Sequence, residues 1–227
     1  METPRRALPT VLPIEHAAMI LDWNGTSIYT DPTGGAEAFA GKPSATLVLV
    51  TDIHGDHLST STLEQGVGAN TALIVPQAVK DVLPETLAAR ARVLENGQTL
   101  TEGDVQITAI PMYNVPESPD AFHTKGRGNG YVLEKSGARV YVAGDTAGIP
   151  EMRALERIDI SFIPMNLPYT MSVEEAADAV LAFKPKQVYP YHYRGPDGLA
   201  DVEKFKQLVG ASDPNIEVVQ LDWYPGQ

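Results

Sequence analysis

The sequence predicts an α/β chain, α+β in the order of its elements, with two β-sheets packed together and helices outside them. Three observations carry that expectation. Strand-like segments come in two runs along the chain, with helix-like segments following each. An uncharged, β-branched run at residues 46–50 (T-L-V-L-V) reads as a buried strand. Residues able to do chemistry stand at the ends of strands, where α/β folds place their sites.

Residues 11–14 and 17–23 read as short strands, and Asn24-Gly25 as a hairpin turn into a third strand at 27–30. Asp31-Pro32 closes that strand and Gly34-Gly35 begins a loop. His16, between the first two strands, reads more readily as structural than as a ligand. After the buried run, Ser61-x-x-Glu64 has the pattern of a capping box opening a helix. Ala72–Val75 reads as a strand, Gln77–Val82 as a helix turn and 105–110 as another strand. Residues 111–130 carry little apolar pattern, and a loop of that length inside a compact fold is usually functional or disordered. His123 stands within it, followed by Lys125 and Arg127 among three glycines. That basic stretch reads either as a flexible turn or as a cationic lip for a carboxylate or phosphate.

Residues 131–134 and 139–143 form a hairpin around Ser136-Gly137, ending in Gly144-Asp145-Thr146. Residues 158–165 are strand-like. Ser172 and Glu175 cap a helix whose stripe of Val173, Ala176, Ala177, Val180 and Phe183 is core. Gln187–Tyr191 is a strand running into His192, with Tyr191, Tyr193 and Arg194 around it. A helix at 201–209 and a strand at 216–221 lead to Trp223-Tyr224-Pro225. Short-period repeats and dividing linkers are absent from the sequence, so residues 1–227 read as one domain.

Composition narrows the classes. At 227 residues and 43% hydrophobic, the chain can bury a large core. A charged fraction of 20% fits an ordered protein, and no stretch approaches a membrane span. The absence of cysteine excludes disulfides, thiolate ligands and a cysteine nucleophile. A formal charge of −12 argues against general nucleic-acid binding, which needs clustered Lys and Arg. The expected partner is a small-molecule substrate, with no membrane, and homo-oligomerisation is left open. The first ten residues hold two arginines and no apolar h-region, so as given they are not a signal peptide. A secretory leader trimmed away would leave the same sequence, so cytoplasmic and periplasmic or secreted locations both stay open.

The chemistry concentrates in residues 50–58, V-T-D-I-H-G-D-H-L. Asp52, His54, Asp56 and His57 are four metal-capable side chains within six positions. An extended chain puts Asp52 and His54 on one side, and Gly55 allows a turn that sends Asp56 and His57 to a second place. Imidazole and carboxylate suit zinc, manganese or iron. Satisfied core histidines and helix-capping aspartates explain so tight a cluster poorly, and the stretch reads as a dinuclear metal loop.

D-I-H-G-D-H-L, the later loop histidine, G-D-T at 144–146 and Y-H at 191–192 together resemble the ordered motifs of the metallo-β-lactamase superfamily. His16-Ala17 and Asp31-Pro32 resemble the branch that contains the L-ascorbate 6-phosphate lactonase. The resemblance covers nearly the whole chain. It implies an αββα sandwich of two mixed β-sheets flanked by helices, with one or two divalent metals (zinc, manganese or iron) in a cleft at one sheet edge. It implies that His54 and His123 bind the first metal, with Asp52 standing where the family has its first histidine. Asp56, His57 and His192 would bind the second, with Asp145 bridging. Asp52, a harder donor than imidazole, would favour a harder cation or would orient a ligand histidine from behind.

The implied reaction is hydrolysis by a metal-activated water, with Asp56 and His57 in the catalytic set. Asn114, Arg127, Tyr191, Tyr193 and Arg194 lie beside motif residues and are expected to contact substrate. A small ester or lactone is the expected substrate, with phosphodiester cleavage as the alternative. A metal-binding or sensing protein without turnover is the reading from another class.

Overall fold

Alternation along the first strands decides how the first sheet sits. Met19, Leu21 and Trp23 join the core between the sheets, whereas Ile20 faces the other way and packs with Val48, Val50, Leu63 and Val79. Leu47 and Leu49 belong to the first cluster and Val48 to the second, so the run at 46–50 is apolar because both its faces are covered. The computed structural model describes residues 7–66, 68 and 70–225. Much of the N-terminal stretch on which location was judged, residues 1–6, lies outside the described residues.

The first sheet runs β1 (Thr10–Glu15), β2 (Ala18–Trp23), β3 (Thr26–Thr30), β4 (Leu47–Leu49), β5 (Ala72–Val75) and β6 (Ala91–Val93) in that spatial order. It is antiparallel through β3 and parallel from there on. Helices α1 (Thr60–Gly66), α2 (Gln77–Val82) and α3 (Glu85–Ala88) contribute Leu63, Val79 and Leu87 to the cluster on its outer face.

The second sheet begins with β7 (Thr99–Glu102), β8 (Val105–Met112), β9 (Gly128–Lys135) and β10 (Ala138–Val142), all antiparallel. It continues in parallel through β11 (Ile160–Pro164) and β12 (Gln187–Tyr191). After a two-stranded ribbon, β13 (Arg194–Gly195) and β14 (Gly198–Leu199), the short β15 (Glu217–Val218) pairs on the far side of β12. Helices α4 (Pro150–Arg153), α5 (Val173–Phe183) and α6 (Val202–Ser212) add Met152, Ala176, Val180, Phe183, Phe205 and Val209 to the main core. The result is two mixed sheets flanked by helices, as expected. Among the described residues no helix is long and apolar enough to cross a membrane.

The capping box at Ser172 is present, with Ser172 Oγ accepting from Glu175 N at 3.2 Å and the Glu175 carboxylate accepting from Ser172 N at 2.8 Å. The other expected box is not. Helix α1 starts two residues earlier, and Ser59, not Ser61, accepts from Thr62 N at 3.2 Å. The short β6 and β7 were not foreseen, because three or four residues with half-exposed faces leave no clear alternation. The strand expected at 216–221 pairs only over Glu217–Val218.

The long loop is shorter than its sequence suggests, because β8 runs to Met112 and β9 begins at Gly128. Two of the three glycines there, Gly128 and Gly130, serve close approach. A Cβ on Gly128 would lie 2.7 Å from Thr51 O, and one on Gly130 would lie 2.7 Å from Ala143 O. Between them Asn129 N donates to Thr51 O at 2.9 Å, which ties the second sheet to the end of β4 in the first.

Candidate metal centre

Six connections leave the sheets at one edge and carry the chemistry. Asp31 follows β3, Asp52 to His57 follow β4, and His123 lies between β8 and β9. Asp145 follows β10, Asn166 follows β11 and His192 follows β12. Seven of these side chains sort into two groups with one residue between.

The first group is Asp52, His54 and His123, whose candidate ligand atoms all lie within 4.8 Å of one another. Asp52 Oδ2 is 3.0 Å from His54 Nδ1 and 3.7 Å from His123 Nε2. The Asp52 side chain is fully buried. Burial would raise its pKa, but hydrogen bonds from His54 and Arg127 outweigh that and hold it at about 2. The second group is Asp56, His57 and His192, which meets the same 4.8 Å limit. His192 Nε2 is 3.2 Å from both Asp56 Oδ2 and His57 Nε2. Asp145 lies between the groups. Its Oδ2 is 3.3 Å from His57 Nε2 and 3.3 Å from His123 Nε2, and its Oδ1 is 3.5 Å from His192 Nε2. Burial opposes charge on His57, yet the carboxylates of Asp145 and Asp31 push its pKa well above the ordinary value. Burial likewise opposes charge on Asp145, and the same imidazoles hold that carboxyl well below its usual range.

The donor set fits divalent cations. Three carboxylates and four imidazoles converge from separate loops, and His123 Nε2 and Asp145 Oδ1 are buried without a hydrogen bond. Two imidazole nitrogens facing each other at 3.2 Å are a spacing that a shared proton or a shared cation satisfies.

Several supporting residues were not foreseen. Asp31 is fully buried and its Oδ2 lies 2.9 Å from His57 Nδ1. Thr51 donates to the same carboxylate from its N–H at 2.7 Å and from its hydroxyl at 2.6 Å. A carboxylate behind the imidazole sets its tautomer, so Nε2 turns its lone pair to the centre. The Asp31-Pro32 pair was a visible signal, read as the end of a strand and as part of the family resemblance but not as a partner of His57. Asn166 Nδ2 stands 3.4 Å from His192 Nδ1, and nothing in the local sequence marked it. His16 is half-buried, its ring edge-on to His192 at 5.5 Å and its Nδ1 3.3 Å from the Tyr224 hydroxyl, which agrees with a packing role.

None of the residues expected at the substrate lines the cleft over the two metal groups. Arg127 is no open lip. Its Nε and Nη2 fork onto the Asp52 carboxylate at 3.1 and 2.9 Å, and Nη2 also reaches Phe122 O at 2.6 Å. Tyr191 is core, its hydroxyl accepting from Gly144 N at 2.9 Å. Tyr193 is buried edge-on against Tyr224, and Arg194 lies over the Tyr224 ring at 4.2 Å with Glu15 at 3.8 Å. Asn114 clamps the loop instead, its Oδ1 accepting from His123 N and its Nδ2 donating to Tyr169 O, both at 2.8 Å. Being next to a motif residue in sequence did not place these side chains in the cleft, because each is drawn to a partner of its own in the surrounding loops or core.

The cleft over the two groups has a volume of about 310 Å³ and is lined by His54, Asp56, Phe122, His123, Asp145, Asn166 and Tyr169. Asp56, 42% exposed at its side chain, is the carboxylate that faces it most openly.

Residues 11–192 match the family model described as the β-lactamase superfamily domain. A protein of Thermococcus onnurineus named a UPF0173 metal-dependent hydrolase is 34% identical over 185 residues, 78% of this chain and 81% of its own. The crystal structure of a candidate metal-dependent hydrolase from Parabacteroides distasonis superposes with a TM-score of 0.83 at 36% identity, covering 95% of this chain and 94% of that one. Igni18, a metallo hydrolase from Ignicoccus hospitalis, superposes with a TM-score of 0.77 at 23% identity over 96% of this chain and 95% of its own, a likeness of fold.

Proposed function

The chain belongs to the β-lactamase superfamily, and on that footing we propose that it is a metal-dependent hydrolase acting on a small, uncharged ester or lactone. The observation that carries the reading is the convergence of two ligand groups with Asp145 between them. In this reading Asp52, His54 and His123 would hold one divalent cation and Asp56, His57 and His192 a second, with the Asp145 carboxylate, 3.3 Å from a histidine of each group, available to either. Such cations supply Lewis acidity, which lowers the pKa of water toward neutrality and polarises an ester carbonyl.

The chain's own groups do the rest. Asp31 keeps His57 in the tautomer that offers Nε2. Asp56, partly exposed to the cleft, accepts a hydrogen bond from the attacking water and orients it. The clamp at Asn114 holds His123 in place through the backbone. Asp52 brings a hard oxygen donor, which makes manganese or iron as suitable as zinc at the first position.

The choice of an uncharged ester over a phosphodiester rests on charge pairing around the cleft. Arg127 is paired with Asp52, Lys125 with Glu117 and Glu151, Arg153 with Asp178 and Arg194 with Glu15. A phosphate group is usually met by an Arg or Lys with donors to spare. The same pairing speaks against a phosphorylated lactone.

The test is to measure metal content by elemental analysis and to screen the loaded protein against neutral esters, lactones, phosphodiesters and β-lactams. The reading expects at least one transition metal per chain and turnover of a neutral ester or lactone. Absence of metal after reconstitution, or turnover confined to phosphodiesters, overturns it.

A further inference from the structure

A second cavity of about 680 Å³, more than twice the volume of the cleft, opens next to it. Phe122 lines both spaces, and its ring stands edge-on to Tyr169, another residue of the cleft, at 4.9 Å. The wall of the larger space is largely apolar, with Val115, Pro116, Ala147, Pro168 and Met171 among its residues. Of its three charged members, Asp120 is exposed and adds no cation, and the other two are already engaged. Arg153 donates to Asp178 and to Gly148 O, and Glu175 is committed to the cap of α5.

The surface around this mouth is unusual for the molecule. Among the described residues six large hydrophobic side chains are exposed, and two of them, Val115 (58%) and Phe122 (50%), line this one opening. A cluster of that kind beside a reactive cleft marks a binding site more often than chance exposure. Wall and centre are mechanically one piece, because Asn114, part of the cavity wall, accepts from His123 N.

We infer that this cavity receives the apolar acyl arm of the substrate, so that the preferred ester is a medium-chain one and Phe122 is the threshold between arm and reacting carbonyl. The inference rests on the hydrolase reading and names its substrate class. The occupant follows from continuity: a carbonyl in the 310 Å³ cleft has the larger apolar space as its neighbour across Phe122. A polar or anionic arm would find no free cation there.

The experiment compares p-nitrophenyl acetate, butyrate, hexanoate and octanoate with the metal-loaded protein. Half-burial of each methylene predicts about a twofold gain in kcat/KM, or roughly sixtyfold over the six methylenes from acetate to octanoate. The variants Ser118→Trp, which fills the space from an exposed loop position, and Val115→Asp, which puts a charge on the rim, should each cut the octanoate-to-acetate ratio at least tenfold. A second readout needs no turnover: octanamide should bind the wild-type protein in calorimetry and bind Ser118→Trp at least tenfold more weakly. Acetate turnover with a flat chain-length series would overturn the acyl-arm inference while leaving the hydrolase reading intact. Octanamide binding that Ser118→Trp abolishes, without turnover of any ester, would support the cavity while the hydrolase reading fails. Octanamide binding unaffected by both variants would overturn the cavity assignment.

Discussion

Removing the guanidinium from Asp52 tests the least expected contact in the centre. In the metal-stripped protein, Arg127→Met would leave a fully buried carboxylate facing only His54 and His123. Breaking a buried pair by deleting one partner costs about 3–5 kcal/mol, and the Arg127 side chain, 20% exposed, argues for the lower end. An independent measure agrees. A carboxyl held down from 3.8 to about 2 gains about 2.4 kcal/mol at 1.36 kcal/mol per pKa unit, part of it from His54. We therefore expect a loss of about 2–3 kcal/mol, or roughly 4–12 °C in Tm for a chain of this size. Thermal and urea unfolding in chelator measures it. An added divalent cation should close most of the gap, because it replaces the lost positive charge beside Asp52. Asp52→His combined with Arg127→Met should cost well under Arg127→Met alone, since a neutral imidazole needs no counter-charge, with a coupling of about 2 kcal/mol. If the single and double variants lose equal stability in chelator, the charge on Asp52 is not what Arg127 serves.

Asp31→Asn should weaken metal binding at the His57 group about 10- to 100-fold while leaving the fold intact, measured by competition with a chromophoric chelator. His123→Ala should lower metal stoichiometry or kcat more than Lys125→Ala does, because Lys125 is held by Glu117 and Glu151 outside the ligand groups. Gly128→Ala should destabilise by about 1–3 kcal/mol in urea unfolding, since its Cβ would lie 2.7 Å from Thr51 O, a backbone atom at the foot of the metal loop. Burial would raise the Glu151 pKa, but hydrogen bonds from its own backbone N–H, the Tyr113 hydroxyl and Lys125 hold it below the ordinary 4.5. Its small contribution should therefore be complete above pH 4.5 and fade as acid protonates it. Glu151→Gln should flatten the acid limb of a stability profile by less than about 1 kcal/mol.

The sequence by itself determined which chemistry was on offer and where along the chain it lay. Residues 46–50 had to be a strand covered on both faces, because no alternation of polar residues leaves either face to water. The spacing of Asp52, His54, Asp56 and His57 after that strand allowed two clusters, and two clusters are present. Ser172 and Glu175 announced a helix start that local hydrogen bonds alone can make. Such features depend on neighbours a few residues apart, and so they are legible in a string of letters.

The partners of the ligands are another matter. Arg127 reaches Asp52 across 75 positions, Asp31 reaches His57 across 26, and Asn166 reaches His192 across 26. Those pairings exist only because separate strands end at one sheet edge, which brings their connecting loops tip to tip. A sequence reader sees Arg127 among glycines and expects a free cation. The structure shows Gly128 letting the start of β9 pass close under Thr51, and that passage delivers the guanidinium of Arg127 to a buried carboxylate. Tertiary structure also decided that Tyr191 turns into the core while His192 beside it turns to the centre, since the chain leaves β12 at Tyr191 and takes a left-handed conformation at His192 (φ 46°). Which charges are paired, and so which substrates the cleft can greet, follows from distances that no local pattern encodes.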